Sequence, residues 1–447
     1  MSKTLLKNTK VVNEGTIVEA DVYIENGVFV EIAKSISPKS GNVNVIDAEG
    51  KYLIPGMIDD QVHFREPGLT HKADIESESR AAIAGGITTF IEMPNTVPQS
   101  TTIELLEEKF TIAKEKSFAN YSFMFGGTND NLEEILKVDP KKVAALKLFL
   151  GSSTGNMLVD DPEVLKNIFS NTSLLIAVHC EDEQTIRENL AKYKQKYGDD
   201  IPVKYHPIIR SEEACYLSSS KAIELAKETG ARLHVFHLST AKEMSLFDNS
   251  IPLKDKKITA EVCVHHLWFN SNDYEKKGTH IKWNPAVKTE NDRHGLIKGL
   301  LSNKIDVIAT DHAPHTLDEK SNVYTKAPSG GPLVQHALVA LFEMCKKSEL
   351  TIEKLVEKAC HNPAILFQIE KRGYIKKGYY ADAVLVDPNA PWTVTKENIF
   401  YKCGWSPFEG TTFTSRITHT FVNGELVYHN FKVLDKPKKG MRLTFDR

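Results

Sequence analysis

The sequence predicts a (β/α)₈ TIM-like barrel with a small β-sandwich domain built from both chain termini. Three observations lead there. Eight short apolar runs alternate with helical stretches through the middle of the chain. Polar, chemistry-bearing residues cluster just past the ends of many of those runs. Strand-like segments without long helices occupy both ends.

The runs are Leu53–Ile58, Ile87–Met93, Tyr121–Phe125, Ala144–Leu150, Leu174–His179, Leu233–Leu238, Ile258–Val264 and Val307–Thr310. Each has the length of a fully buried strand, and continuous apolar character fits a parallel sheet covered on both faces. Between them lie stretches able to make helices: Ile75–Ala84, Ile103–Lys116, Leu132–Leu136, Asp161–Ile168, Asp182–Lys194, Ser211–Lys227 and Asp292–Leu301. Eight such units over ~260 residues match the usual size of a barrel. A doubly wound open sheet also alternates strands and helices. It is disfavoured because no GxGxxG opens a helix after the first strand and no Walker-type phosphate loop occurs.

Ahead of the barrel, Thr16–Val18, Val22–Ile24 and Val28–Ile32 are rich in β-branched residues, with a turn at Glu25-Asn26-Gly27. Past residue 365, Ala383–Val386 reads as a strand, and His419–Val422 and Leu426–Tyr428 flank the hairpin signal Asn423-Gly424. The expected division is therefore 53–365 for the barrel and 1–52 plus 366–447 for a composite β-domain.

Composition narrows the function classes. The 447 residues are 41% hydrophobic and 26% charged, with net charge -3, which leaves no electrostatic footprint for nucleic acid. Lys436, Lys438 and Lys439 make only a short basic patch, read as a solvated tail. No apolar run reaches the ~18–20 residues of a membrane span. Met1 to Glu14 lacks the apolar core and cleavage site of a signal peptide, so a cytoplasmic location is expected. The six cysteines form no CxxC pair, and Cys180 and Cys263 sit in strand-like runs as small buried hydrophobes.

The strand ends carry the chemistry. The first run leads into Asp59-Asp60-Gln61-Val62-His63-Phe64-Arg65, and the second into Met93-Pro94-Asn95. Lys147 sits within the fourth, His179 ends the fifth, His234 and His237 lie in the sixth, and Asp311 and His315 follow the eighth. In a barrel all of these ends share one mouth. A lone histidine at a strand end is more often a hydrogen-bonded core residue than a ligand. His63, His179, His237 and Asp311 on strands one, five, six and eight together read as a metal site, because imidazole and carboxylate suit a catalytic zinc. A metal there would lower the pKa of bound water toward ~7, which suits hydrolysis of a poor electrophile. Lys147, inside an apolar run, must reach a strand end or a partner, since a buried unpaired ammonium is costly. His234, deeper in the same run as His237, reads as structural.

These residues also carry a family resemblance. DDQVHFREPG at 59–68, MPNT at 93–96, KLF at 147–149, HLST at 237–240, NP at 284–285, ATDHAPH at 309–315 and SPFEG at 406–410 resemble the dihydroorotase, allantoinase and hydantoinase branch of the amidohydrolase superfamily. The resemblance covers nearly the whole chain. Arg65 two residues after His63, and Asn95 directly after Met-Pro, favour the dihydroorotase family. An arginine fork suits a carboxylate, which hydantoin and allantoin lack.

The resemblance implies one or two Zn²⁺ per chain. His179 and His237 would bind one metal, and His63 and Asp311 would help bind the other. Lys147 would be carboxylated to N6-carboxylysine and bridge them. It also implies that Arg65, Asn95 and His315 hold the carboxylate of dihydroorotate, that Asn284 contacts the ring amide, and that Asp311 shuttles the proton. The product would be N-carbamoyl-aspartate, in a reversible step of pyrimidine biosynthesis. A homo-oligomer is implied too, and some relatives associate with aspartate transcarbamoylase.

One departure matters: Gln61 stands where the family carries histidine, and an amide oxygen is a weaker zinc ligand than imidazole. Gln61 then ligates weakly or yields to water, or only the His179/His237 metal is firmly held, or the chain is an inactive homologue serving as a structural subunit. Another cyclic amidohydrolase, of hydantoinase, dihydropyrimidinase or allantoinase type, is the nearest rival activity. Thr316–Pro332, rich in Ser, Gly and Pro, reads either as a loop over the mouth or as a plain surface connection.

Overall fold

The computed structural model describes residues 3–38, 41–151, 156–434 and 440–447. The basic patch Lys436, Lys438 and Lys439 lies outside the described residues.

The barrel strands run in sequence order: Met57–Val62, Ile87–Glu92, Asn120–Phe123 continued by Phe125–Gly126, Leu146–Phe149, Ile176–His179, Leu233–Val235, Ile258–Cys263 and Val307–Ala309. Every neighbouring pair whose register is described is parallel. The ring closes between strands eight and one. A parallel bridge joins Val62 to His312, and the His63 amide donates to the His312 carbonyl at 2.7 Å. Asp59 reinforces the seam by accepting from the Thr310 amide (3.1 Å) and hydroxyl (2.6 Å).

Helices cover the outside with clear stop signals. Ile75–Ala84 starts on a capping box at Asp74 and Ser77, and Pro162–Asn171 has Asp161 as N-cap followed by proline. Glu212–Thr229 ends on Gly230 in the left-handed region at φ 75°. The expected stretch Leu132–Leu136 makes only a single turn, Leu132–Ile135.

The fold is thus a (β/α)₈ barrel beside a β-sandwich domain drawn from both termini. The strand order there is Lys432–Val433, Glu425–His429, Arg416–Val422, Ala383–Asp387, Tyr52–Pro55, Lys3–Asn13, Thr16–Glu25 and Val28–Ala33, with Asn44–Asp47 also pairing to Lys3–Asn13. One face buries Leu6, Val22, Leu53, Leu385 and Phe421 in the domain's own core. The other sends Val12, Ile54, Val384 and Val386 into the barrel's main cluster.

The structure corrects the reading of the first apolar run. Leu53–Ile58 is not one strand but two. Tyr52–Pro55 belongs to the β-domain, and the barrel strand begins at Met57. The switch falls on Gly56, whose amide still donates to Asp382 of the β-domain (2.9 Å), whereas the Met57 amide already donates to Gly86 of the barrel (3.1 Å). A Cβ at Gly56 would sit 2.0 Å from the Thr88 hydroxyl, so only glycine allows the two sheets to meet there. The shift places Gln61 inside strand one rather than beyond it.

Candidate active site

The mouth of the barrel holds a cavity of about 520 Å³. Gln61, His63, Arg65, Asn95, Lys147, His179, His237, Asn284, Asp311 and His315 all line it, so the metal and substrate residues expected from the sequence are brought together, while His234 lies outside it.

His179 and His237 meet with Nδ1 and Nε2 3.0 Å apart. Nε2 of His179 faces Glu181 at 3.0 Å, and Glu181 is also paired with Arg210. Burial opposes ionisation of Glu181, yet Arg210 and His179 outweigh it and hold the carboxyl at about 2. The proton of neutral His179 therefore sits on Nε2, which leaves Nδ1 as a lone pair beside the His237 nitrogen. Burial holds the pKa of both imidazoles below its usual value, so both are neutral, and the His237 Nε2–H can donate to that lone pair.

A second pair repeats the logic. Asn95 Oδ1 accepts from His63 Nδ1 at 2.9 Å, which turns the Nε2 lone pair toward Asp311 Oδ1 at 3.3 Å. Burial, with the charges of Arg65 and Lys147 adding, keeps His63 neutral. Burial likewise raises the Asp311 carboxyl to about 7. Lys147 lines the same cavity. Its Nζ is buried, has no hydrogen-bond partner among the described residues, and sits 4.1 Å from the centre of the Phe236 ring. Burial lowers it to about 7, so much of it is the free amine near neutrality.

Three imidazoles, one carboxylate and one unpartnered amine make a donor set suited to divalent cations. His179, His237, His63 and Asp311 are the residues that would hold them. Gln61 lies at the cavity floor, its Oε1 3.7 Å from the Cys263 sulfur, where it offers only an amide oxygen. Burial pushes the Cys263 thiol well above its usual range, which removes thiolate character.

Arg65, His237 and Asp311 adopt φ of 70°, 37° and 48°. Non-glycine residues rarely hold such angles, and the surrounding contacts must impose them. The Glu261 carboxylate holds the His237 amide at 2.9 Å, and Trp283 Nε1 donates to the Asp311 carbonyl at 3.3 Å.

The far side of the cavity is cationic. Arg65 Nε donates to the Pro314 carbonyl (3.1 Å), and its Nη2 lies 3.2 Å from His315 Nε2. Lys72 Nζ reaches His315 Nδ1 at 3.1 Å and Glu319 at 2.9 Å. His315 Nε2 also lies 3.0 Å from the Ser329 carbonyl. Asn284 Oδ1 is buried and has no hydrogen-bond partner among the described residues. Of the Thr316–Pro332 segment, Pro328, Ser329 and Gly330 line the cavity. Lys320 ties that segment down through the Pro328 and Gly330 carbonyls, both at 2.8 Å.

Comparison with known proteins places this geometry. The model of the amidohydrolase family matches residues 52–427. A relative from Carboxydothermus hydrogenoformans, named dihydroorotase, is 37% identical over 95% of this chain and 97% of its own. One from Methanosphaera stadtmanae, with the same name, is 32% identical over 96% of both. Among solved structures, the L-hydantoinase (dihydropyrimidinase) of Arthrobacter aurescens superposes with a TM-score of 0.93 at 27% identity, covering 99% of this chain and all of the other. The chain belongs to the amidohydrolase family.

Several contributors to this amidohydrolase site escaped sequence reasoning. Lys72 follows the strand-one motif with no periodic signal of its own. Glu181 and Arg210 belong to different segments and meet only in the fold. Glu92 and Lys109, fully buried and 3.2 Å apart, brace the Phe64 amide (2.9 Å) and the Met93 carbonyl (3.0 Å) on either side of the mouth. A glutamate inside the second apolar run was the signal that could have revealed that pair.

Proposed function

We propose that this chain is a dihydroorotase, which opens the cyclic amide of dihydroorotate to N-carbamoyl-aspartate and closes it again. The observation that carries the reading is Arg65 in the same cavity as the converging donors. A neutral cyclic amide gives a buried guanidinium no anionic partner, whereas the ring carboxylate of dihydroorotate gives it two oxygens. Lys72 beside His315 adds positive charge to that wall.

Zinc is the metal proposed for His63, Lys147, His179, His237 and Asp311, with Gln61 as a weak additional ligand and Lys147 as N6-carboxylysine. The free amine form of Lys147 is the one that adds carbon dioxide with loss of a proton. When bound, the metal supplies Lewis-acid polarisation of the scissile carbonyl and acidifies water.

The chain's own groups do the rest. Arg65, Asn95 and His315 bind the carboxylate and fix the ring, which removes orientational entropy from the barrier. The free Asn284 oxygen receives the ring N–H. Asp311, whose carboxyl burial raises in the metal-free chain, takes the proton released on attack and returns it to the departing ring nitrogen. Closure runs the same path backwards and starts from protonated Asp311.

A homo-oligomer, association with aspartate transcarbamoylase and a cytoplasmic location belong to this reading through the resemblance alone. No helix among the described residues is long and apolar enough to cross a membrane.

The likeness to the Arthrobacter aurescens hydantoinase supports a second reading, hydrolysis of hydantoins or dihydropyrimidines. One experiment separates the readings. Metal content by elemental analysis is measured on protein purified without chelators, alongside hydrolysis of dihydroorotate and of hydantoin. Metal with turnover of dihydroorotate is expected. Turnover of hydantoin alone would favour the second reading, and neither metal nor turnover would favour a non-catalytic structural subunit.

A further inference from the structure

One cluster of donors lies outside the mouth. Asp60 of strand one, His234 of strand six and Glu261 of strand seven converge inside the barrel, all fully buried. One ligand atom from each lies within 4.8 Å of the other two. Among the described residues, both Asp60 oxygens, His234 Nε2 and Glu261 Oε2 have no hydrogen-bond partner. None of the three lines the mouth cavity.

The tautomer of His234 is set from outside the cluster. The Thr259 hydroxyl donates to the Leu233 carbonyl at 3.2 Å, so its oxygen accepts from His234 Nδ1–H at 2.8 Å. In the neutral ring Nε2 then carries a lone pair, and it points at two carboxylates. Something positive must stand between them. A proton on Nε2 would give charge-assisted hydrogen bonds of about 2.7–2.9 Å. Nε2 is instead 3.4 Å from Asp60 Oδ2 and 3.8 Å from Glu261 Oε2. Donors arranged tetrahedrally at zinc-like bond lengths are spaced roughly 3.3–3.6 Å. Charge alone allows either occupant: a divalent cation balances two carboxylates and a neutral imidazole, and an imidazolium held by Asp60 beside a Glu261 kept protonated by burial also leaves no net charge.

We propose that Asp60, His234 and Glu261 form a separate, buried divalent-cation site beneath the mouth. One imidazole with two carboxylates suits Zn²⁺, Mn²⁺ or Fe²⁺. Its role is structural. Glu261 Oε1 holds the His237 amide, so a cation fixing Glu261 also fixes the strained turn that presents His237.

The test is anomalous diffraction at the zinc, manganese and iron edges on wild-type protein isolated without chelators. Elemental analysis of Asp60→Asn and of the His179→Ala/His237→Ala double variant accompanies it. An anomalous peak between the three side chains is expected. The double variant should keep the anomalous peak at the triad, and Asp60→Asn should lose that peak and about one equivalent of metal while the mouth stays loaded. A peak at the triad with an empty mouth would uphold this site and sink the metal reading of the mouth. No peak at the triad would overturn the proposal, with the wild-type map deciding if Asp60→Asn fails to fold.

Discussion

Glu181 Oε2 lies 3.0 Å from His179 Nε2, and that contact decides which nitrogen of His179 faces the cavity. A neutral amide would leave the tautomer free. Glu181→Gln should therefore weaken metal binding roughly ten- to a hundredfold. Metal titration of the apoprotein checks this. An unchanged affinity would mean that packing alone orients the ring.

Arg65 should act through the substrate carboxylate. Arg65→Lys keeps charge but loses the fork, and about 1.5–3 kcal/mol should go from transition-state binding, roughly ten- to a hundredfold in kcat/KM for dihydroorotate. A ring substrate without a carboxylate should be unaffected in kcat/KM. Equal losses on both substrates would show that Arg65 only shapes the mouth.

The direction of the reaction should follow Asp311. Burial raises its carboxyl to about 7 in the metal-free chain and a bound cation would draw it down, so the acid gives way to the ionised form as pH rises. Hydrolysis needs the ionised form and should rise with pH through the neutral range; cyclisation needs the acid and should fall. Asp311→Asn should abolish both limbs and cost ~10²–10⁴-fold in rate. A cyclisation rate that climbs through neutral pH would contradict the assignment.

Lys147 should leave a mark on stability in the metal-free protein. Its folded pKa is lowered from 10.5 to about 7 by burial. Between those values the unfolded chain holds a proton that the folded chain does not, so stability rises with pH across that window, by at most roughly 1.4 kcal/mol per pH unit. Lys147→Met lacks this linkage. The Tm of wild type relative to Lys147→Met should climb from pH 7 to pH 10, and a flat difference would place the amine in water.

Gln61→His would supply an imidazole at the cavity floor. The more weakly held metal equivalent should bind tighter by on the order of tenfold or more. Competition with a weak chelator measures it, and no change would mean that position 61 does not face the metal.

The alternation of strands and helices, the β-domain at the two termini and the residues that gather at the mouth were legible in the residues alone. Those signals are local: burial on both faces of a parallel sheet writes a continuous apolar run, and a barrel sends all strand ends to one side. The start of strand one emerged from the folded chain, because Leu53–Ile58 is equally apolar on both sides of Gly56 and only the hydrogen bonds to Asp382 and Gly86 divide it. The fold also decided the partners that set each tautomer and charge. Glu181 with Arg210, Asn95 with His63, and Asp60 with His234 and Glu261 are separated by tens to hundreds of residues, and no periodicity of side chains encodes a contact across the barrel.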